Sequence, residues 1–214
     1  MKSPIKGIIF DCDGVLVDSE PIAISTLVNM ANDLGIPIDY DFGIREFQGN
    51  SMGGVLDIIQ SQTDQPLPAD FEQQYRATSF RRFTEELQPI PNIPEVLQQL
   101  TLPYCVASSG PIPKIQHTLT TIGVLPYFQD RVFSCYQLQK WKPDPAIYLH
   151  AAKEMGLAPE ACLVIEDSLP GVQAGVASGA TVYAYAANAH NEKALEQAGG
   201  ILFYEMLDLL ELIR

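Results

Sequence analysis

The chain has 214 residues, 47% apolar and 18% charged, and its 13 Lys and Arg against 26 Asp and Glu leave a formal charge of −13. That length supports a sizeable core with room for a small second domain, and the composition excludes a disordered chain. So acidic a surface argues against nucleic acid or an anionic membrane as partner, while leaving room for a small anion in a locally positive pocket.

IKGIIF, residues 5 to 10, predicts a first strand ending at Asp11, and an aspartate met after three apolar residues is not the pattern of a signal peptide. From Pro21 the period changes, with Ile24, Leu27, Val28, Ala31 and Leu34 on one helical face closed by Gly35. Residues 53 to 62 and 70 to 87 predict two more helices, so 20 to 87 is a helical block almost without strand signal. LQPIPNIPEVLQQL, residues 87 to 100, carries closely spaced prolines that end this block.

Beyond it the pattern alternates. Strands are predicted at 104–108, 131–135, 162–168 and 181–186, each followed by a helix, at 112–122, 144–155, 170–178 and 191–198. ILFY is a last short strand before a C-terminal helical segment. Repeated strand–helix units imply an α/β fold, a mostly parallel sheet with helices on both faces and the N-terminal strand added to it. The expected domains are a core of 1–16 and 88–214 and an inserted helical domain of 17–87. Cys12, Cys105, Cys135 and Cys162 lack paired metal-ligand spacing and are expected as buried free thiols of a cytoplasmic protein. No apolar run approaches the roughly 18 residues of a membrane span.

In such folds ligands bind beyond the carboxyl ends of the strands. Asp11 with Asp13, Ser108 with Ser109, Lys142 just past a strand, and Glu166 with Asp167 all fall there. Converging carboxylates invite a hard divalent cation, and Mg²⁺ needs only one or two of them plus a substrate phosphate. Lys142 adds a compact positive charge, and SSGPIP places a hydroxyl, amides and a helix start after a strand. Together these describe phosphoryl transfer better than glycoside or amide hydrolysis.

DCDGVLVDSEP, VASSG, WKPDP and VIEDSLPGVQAG, in this order, resemble the four motifs of the haloacid dehalogenase-like (HAD) hydrolase superfamily, in its branch of beta-phosphoglucomutase and small sugar-phosphate phosphatases. The resemblance covers nearly the whole chain and implies a Rossmann-like core with a mobile helical cap inserted after the first strand. It implies Asp11 as a nucleophile that becomes an aspartyl phosphate, and Asp13 as the acid that protonates the leaving oxygen and then activates water. Ser108, the Ser109 amide, Cys12 and Lys142 correspond to phosphate-binding positions. Asp11, Asp13 through its carbonyl, and Asp167 correspond to Mg²⁺ ligands, with Glu166 a ligand or a supporting partner.

In the helical block, Glu20 and Ser19 correspond either to substrate contacts or to helix capping, and Gly49, Asn50 and Ser51 to a loop that meets substrate or to a plain turn. Arg45 is a substrate cation or a surface residue. His117, His150 and His190 match no catalytic position, Trp141 is read as packing, and Arg81 and Arg82 as a solvated helix face. The expected activity is Mg²⁺-dependent hydrolysis of a small soluble phosphomonoester, a sugar phosphate or phosphorylated sugar acid such as 6-phosphogluconate, without an obligate protein partner. A dehalogenase would not need Asp13. A sugar-phosphate mutase is the alternative, but Ala23 and Met52 stand where mutase-like relatives carry a histidine and an arginine. A noncatalytic phosphometabolite-binding module would be expected to have lost an essential acid, and all are present.

Overall fold

A computed structural model describes residues 4–48, 50–187 and 191–213. The chain separates into two compact units, Met1–Asp18 with Gln88–Arg214, and Ser19–Leu87. After β1 (Gly7–Phe10), the second unit supplies α1 (Glu20–Asp33), α2 (Tyr40–Phe47), α3 (Met52–Gln60) and α4 (Phe71–Glu86). The first unit resumes with α5 (Ile93–Gln99), β2 (Tyr104–Ser108), α6 (Ile112–Thr121), α7 (Leu125–Phe128), β3 (Val132–Ser134), α8 (Cys135–Leu138) and α9 (Ala146–Glu154). It ends with β4 (Cys162–Glu166), α10 (Leu169–Ser178), β5 (Thr181–Tyr185), α11 (Glu192–Gln197), β6 (Ile201–Phe203) and α12 (Leu209–Leu212).

The six strands form one parallel sheet in the order β3-β2-β1-β4-β5-β6, the α/β architecture expected from the sequence. β1, β2 and β4 are buried along their whole length, which is why they read as unbroken apolar runs rather than alternating ones. Phe10 packs edge-on against Tyr104 and Phe128. On the helix side, Ile147, Tyr148, Ala151, Val172 and Leu195 close over Ile9, Ala107 and Val164. All four cysteines are free and buried, and burial pushes every thiol above its usual pKa. No helix among the described residues is long and apolar enough to cross a membrane.

Three details depart from the sequence reading. Val17 and Asp18 stay with the first unit, because Val17 bridges to Asp13 and Pro89 and the Asp18 amide donates to the Gln88 carbonyl at 3.0 Å. β3 ends at Ser134, whose hydroxyl accepts from Tyr136 N and whose amide donates to Gln137 Oε1, a capping box that starts α8. Lys142 is therefore not at a strand end but in the loop between α8 and α9. Four helices, α2, α5, α7 and α8, fall where the periodicity predicts none. Pro94 sits in the first turn of α5, where no amide is needed for the helix ladder.

In the second unit, Leu27, Val28, Ala31, Phe47, Val55, Ile59 and Phe71 form a separate core. Arg82 is not a solvated face: Nη1 donates to Ser25 Oγ and Thr26 Oγ1 at 2.9 Å, so it ties α4 to α1. Its other nitrogens hold Glu86.

Candidate active site

Asp11 follows β1 directly, and its amide continues the sheet ladder to the Ile165 carbonyl at 2.9 Å. The carboxylate is thereby held by backbone pairing beside the end of β4. Gly14 then turns the chain with φ +76°, and a β-carbon there would lie 1.9 Å from Asp167 Oδ2, so only glycine allows this approach.

Lys142 Nζ reaches Asp11 Oδ1 at 2.7 Å and Glu166 Oε1 at 2.5 Å, with its side chain only 5% exposed. It also stands 5.1 Å from the centre of the Tyr148 ring. Glu166 is wholly buried. Its Oε1 accepts from Lys142 and from the Tyr148 hydroxyl at 2.6 Å, and its Oε2 accepts from the Asp167 amide, the Ser168 amide and the Ser168 hydroxyl. Burial would raise the Glu166 pKa, but Lys142 and these hydrogen bonds outweigh it and hold the carboxyl below its usual value. Asp11 lacks that set of donors. Burial pushes it up to about 7 against the pull of Lys142, with Glu166 adding repulsion. Burial alone would depress the Lys142 ammonium, yet the two carboxylates keep it protonated well above its usual range.

Asp11, Glu166 and Asp167 each offer an oxygen, all within 4.8 Å of one another, an all-oxygen set suited to a hard divalent cation. Because Glu166 is already met by five donors, Asp11 and Asp167 are the better-suited pair. Ser108, 1% exposed at the end of β2, accepts from the Gly110 amide at 3.0 Å. Ser109 Oγ lies 3.9 Å from Cys135 Sγ, and Cys12 Sγ 3.8 Å from Thr118 Oγ1.

Asp13 has a partner the motifs did not name. Lys114 Nζ, from the first turn of α6, donates to both Asp13 oxygens at 2.8 Å. The one local signal in the sequence is a lysine at a helix start, where the helix dipole disfavours positive charge. Tyr148 and Ser168 were missed too; Ser168 carries the N-cap signature before α10 and caps it through Gly171 N.

Among the second unit's candidates, Glu20 Oε2 accepts from Gln48 Nε2 at 2.7 Å, and Ser51 caps α3. Asn50 donates to the Glu46 carbonyl, and Arg45 is exposed. Gly49, like His190, lies outside the described residues. His150 packs edge-on against Phe133, and Trp141, 43% exposed, against Tyr136.

A sequence profile described as haloacid dehalogenase-like hydrolase matches residues 5–179. The chain is 39% identical over 191 residues to 6-phosphogluconate phosphatase of Escherichia coli, covering 89% of this chain and 86% of that one. A haloacid dehalogenase-like protein of unknown function from Agrobacterium tumefaciens superposes with a TM-score of 0.88 at 30% identity, covering 98% of this chain and 97% of that one. A HAD family hydrolase from Deinococcus radiodurans, with bound phosphate and sodium, gives a TM-score of 0.83 at 27% identity, covering 96% and 93%. Family profile, curated relative and solved structures agree with the geometry at the strand ends, and the chain belongs to the haloacid dehalogenase-like hydrolase family.

Proposed function

We propose that this protein is a phosphomonoester hydrolase for a small phosphorylated sugar or sugar acid, with Asp11 as nucleophile. The observation that carries the reading is the sealed Lys142 between Asp11 and Glu166. A lysine so placed neutralises the charge that would otherwise repel a phosphate from a carboxylate nucleophile. Ser108 and the Ser109 amide bind the transferring phosphate beside it.

In the first half-reaction an Asp11 oxygen bonds to phosphorus, the phosphorus–ester oxygen bond breaks, and Asp13 gives its proton to the leaving oxygen. In the second, water attacks the aspartyl phosphate, Asp13 takes the water's proton, and the bond between phosphorus and Asp11 breaks to release phosphate. Glu166 holds Lys142 from behind. Mg²⁺, held by Asp11, Asp167 and the Asp13 carbonyl, supplies charge neutralisation on the phosphoryl oxygens when bound.

Hydrolysis is favoured over phosphoryl return to a sugar because Ala23 and Met52 offer no hydrogen bond or charge for a second phosphate. Met52 packs against the second unit's own core. The experiment is phosphate release across a panel of phosphometabolites with Mg²⁺, with beta-glucose 1-phosphate plus a trace of the 1,6-bisphosphate as the mutase control. Turnover of sugar phosphates to inorganic phosphate is expected. Glucose 6-phosphate forming faster than phosphate is released would overturn the hydrolase reading.

A further inference from the structure

We propose that Lys114 selects substrates carrying a second anionic group, a carboxylate on the sugar chain, and that Asp13 occupies Lys114 until such a group arrives. The proposal rests on the phosphatase reading above and, within its substrate class, singles out the acids. The two site lysines have different settings. Lys142 is 5% exposed and enclosed by Asp11, Glu166 and the Tyr148 ring, whereas the side chains of Lys114 and Asp13 are 27% and 30% exposed. A part-exposed ion pair is held weakly enough for a ligand anion to take the place of one partner.

The direction of the substrate follows from the role given to Asp13. If Asp13 meets the leaving oxygen, the carbon skeleton begins on the Asp13 side of the site, while the phosphate lies with Ser108 and Lys142. Lys114, with Nζ 2.8 Å from both Asp13 oxygens, belongs to the sugar side. A cation there is not explained by helix stability, since the first turn of α6 disfavours it. On a protein of formal charge −13 it offers an acid substrate a local attraction that the surface at large does not.

Exchange of partners then couples recognition to chemistry. A sugar carboxylate that takes Lys114 releases the Asp13 carboxylate, which takes up a proton from solvent and turns toward the leaving oxygen that will receive it. A neutral polyol leaves Asp13 tethered. The favoured class is a phosphorylated aldonic acid rather than a phosphorylated polyol of the same length.

The test compares 6-phosphogluconate with glucitol 6-phosphate, which share phosphate and chain length and differ in a carboxylate against a hydroxymethyl group. The parent should prefer the acid. In Lys114→Met and in Lys114→Gln, which keeps a hydrogen-bond donor, the ratio of kcat/KM, acid over polyol, should fall roughly 10- to 100-fold, through a higher KM for the acid and a higher kcat for the polyol, whose Asp13 is no longer tethered. Lys114→Arg should restore most of it, and circular dichroism melts confirm that the variants are folded. A parent that favours the polyol, or equal losses on both substrates, or an unchanged ratio in both variants, overturns the proposal. p-Nitrophenyl phosphate separates the two levels: a parent that hydrolyses it but shows no dependence of the ratio on Lys114 remains a phosphatase without this selectivity. A parent that hydrolyses none of the three fails the phosphatase reading itself.

Discussion

Gly171 approaches Glu166 so closely that a β-carbon on it would lie 1.9 Å from the carboxyl group. The first turn of α10 is thus packed against the carboxylate that supports Lys142. Gly171→Ala is expected to displace Glu166 from its donors and to cost about 3 kcal/mol or more, since it overpacks the site and disturbs a buried charge. A thermal melt several degrees below the parent, with reduced turnover of p-nitrophenyl phosphate, is the expected result. A variant melting with the parent would show that Glu166 can move freely.

Asp11→Asn should lower phosphatase turnover about 10³-fold or more, because no other group takes over a nucleophile's bond to phosphorus. The fold should survive, since Lys142 keeps Glu166 as partner. Turnover within tenfold of the parent, in protein shown free of contaminating phosphatase, would remove Asp11 from the mechanism.

The same variant isolates a pH effect. Burial raises Asp11 from 3.8 to about 7 in the folded, metal-free protein, so the native state holds this proton more tightly than the unfolded chain. Its contribution to stability is fully present below the unfolded value and is lost as pH rises through the folded one. With chelator present, the parent should therefore lose stability relative to Asp11→Asn between about pH 4 and 7, read as a widening difference in Tm. A difference that is flat across this window contradicts the assignment.

Asp167→Ala should raise the Mg²⁺ concentration needed for half-maximal activity or abolish turnover, and exhaustive chelation should silence the parent. Calcium should inhibit, because its larger and more flexible coordination suits the phosphoryl geometry less well. Full activity after chelation would take the metal out of the reaction.

Arg82→Met leaves Ser25 Oγ and Thr26 Oγ1 without their shared donor between α4 and α1. Loss of roughly 1–3 kcal/mol is expected, and Lys should not rescue it, since one ammonium cannot hold Glu86 in the same two-nitrogen fork. Faster hydrogen exchange confined to residues 19–87 is the readout; an unchanged rate there would make the contacts incidental.

The strands that carry the site were readable because burial on both faces of β1, β2 and β4 leaves unbroken apolar runs ending in polar residues. α2 was not, because its buried side is little more than Gly43 and Phe47, and Gly43 is there for close approach to Ile24, where a β-carbon would meet Cγ2 at 2.6 Å. α5 was hidden by prolines that suit a helix's first turn as well as a linker. Asp11, Glu166 and Asp167 were brought together as their positions after parallel strands implied. The Lys114 pairing was not legible, since its partner lies 101 residues away and a lysine at a helix start marks an unusual position without naming what it meets. Arg82 was misread for the same reason: helical periodicity says which face a residue occupies, not which hydroxyls another helix brings to it.

β1 lies inside the sheet, where Ile8 is paired with Tyr104 on one side and Leu163 on the other. During synthesis the first strand therefore leaves the ribosome long before either neighbour exists. At about 5–20 residues per second, it waits roughly 5–20 s for β2 alone. Within that interval the residues from Ile24 to Tyr75 that make up the second unit's core have all been made. The insertion has its hydrophobic partners at hand while Ile8, Ile9 and Phe10 have none. The strand that leads to Asp11 thus depends on protection from aggregation while the chain is being made, although it is among the most deeply buried once the sheet has closed.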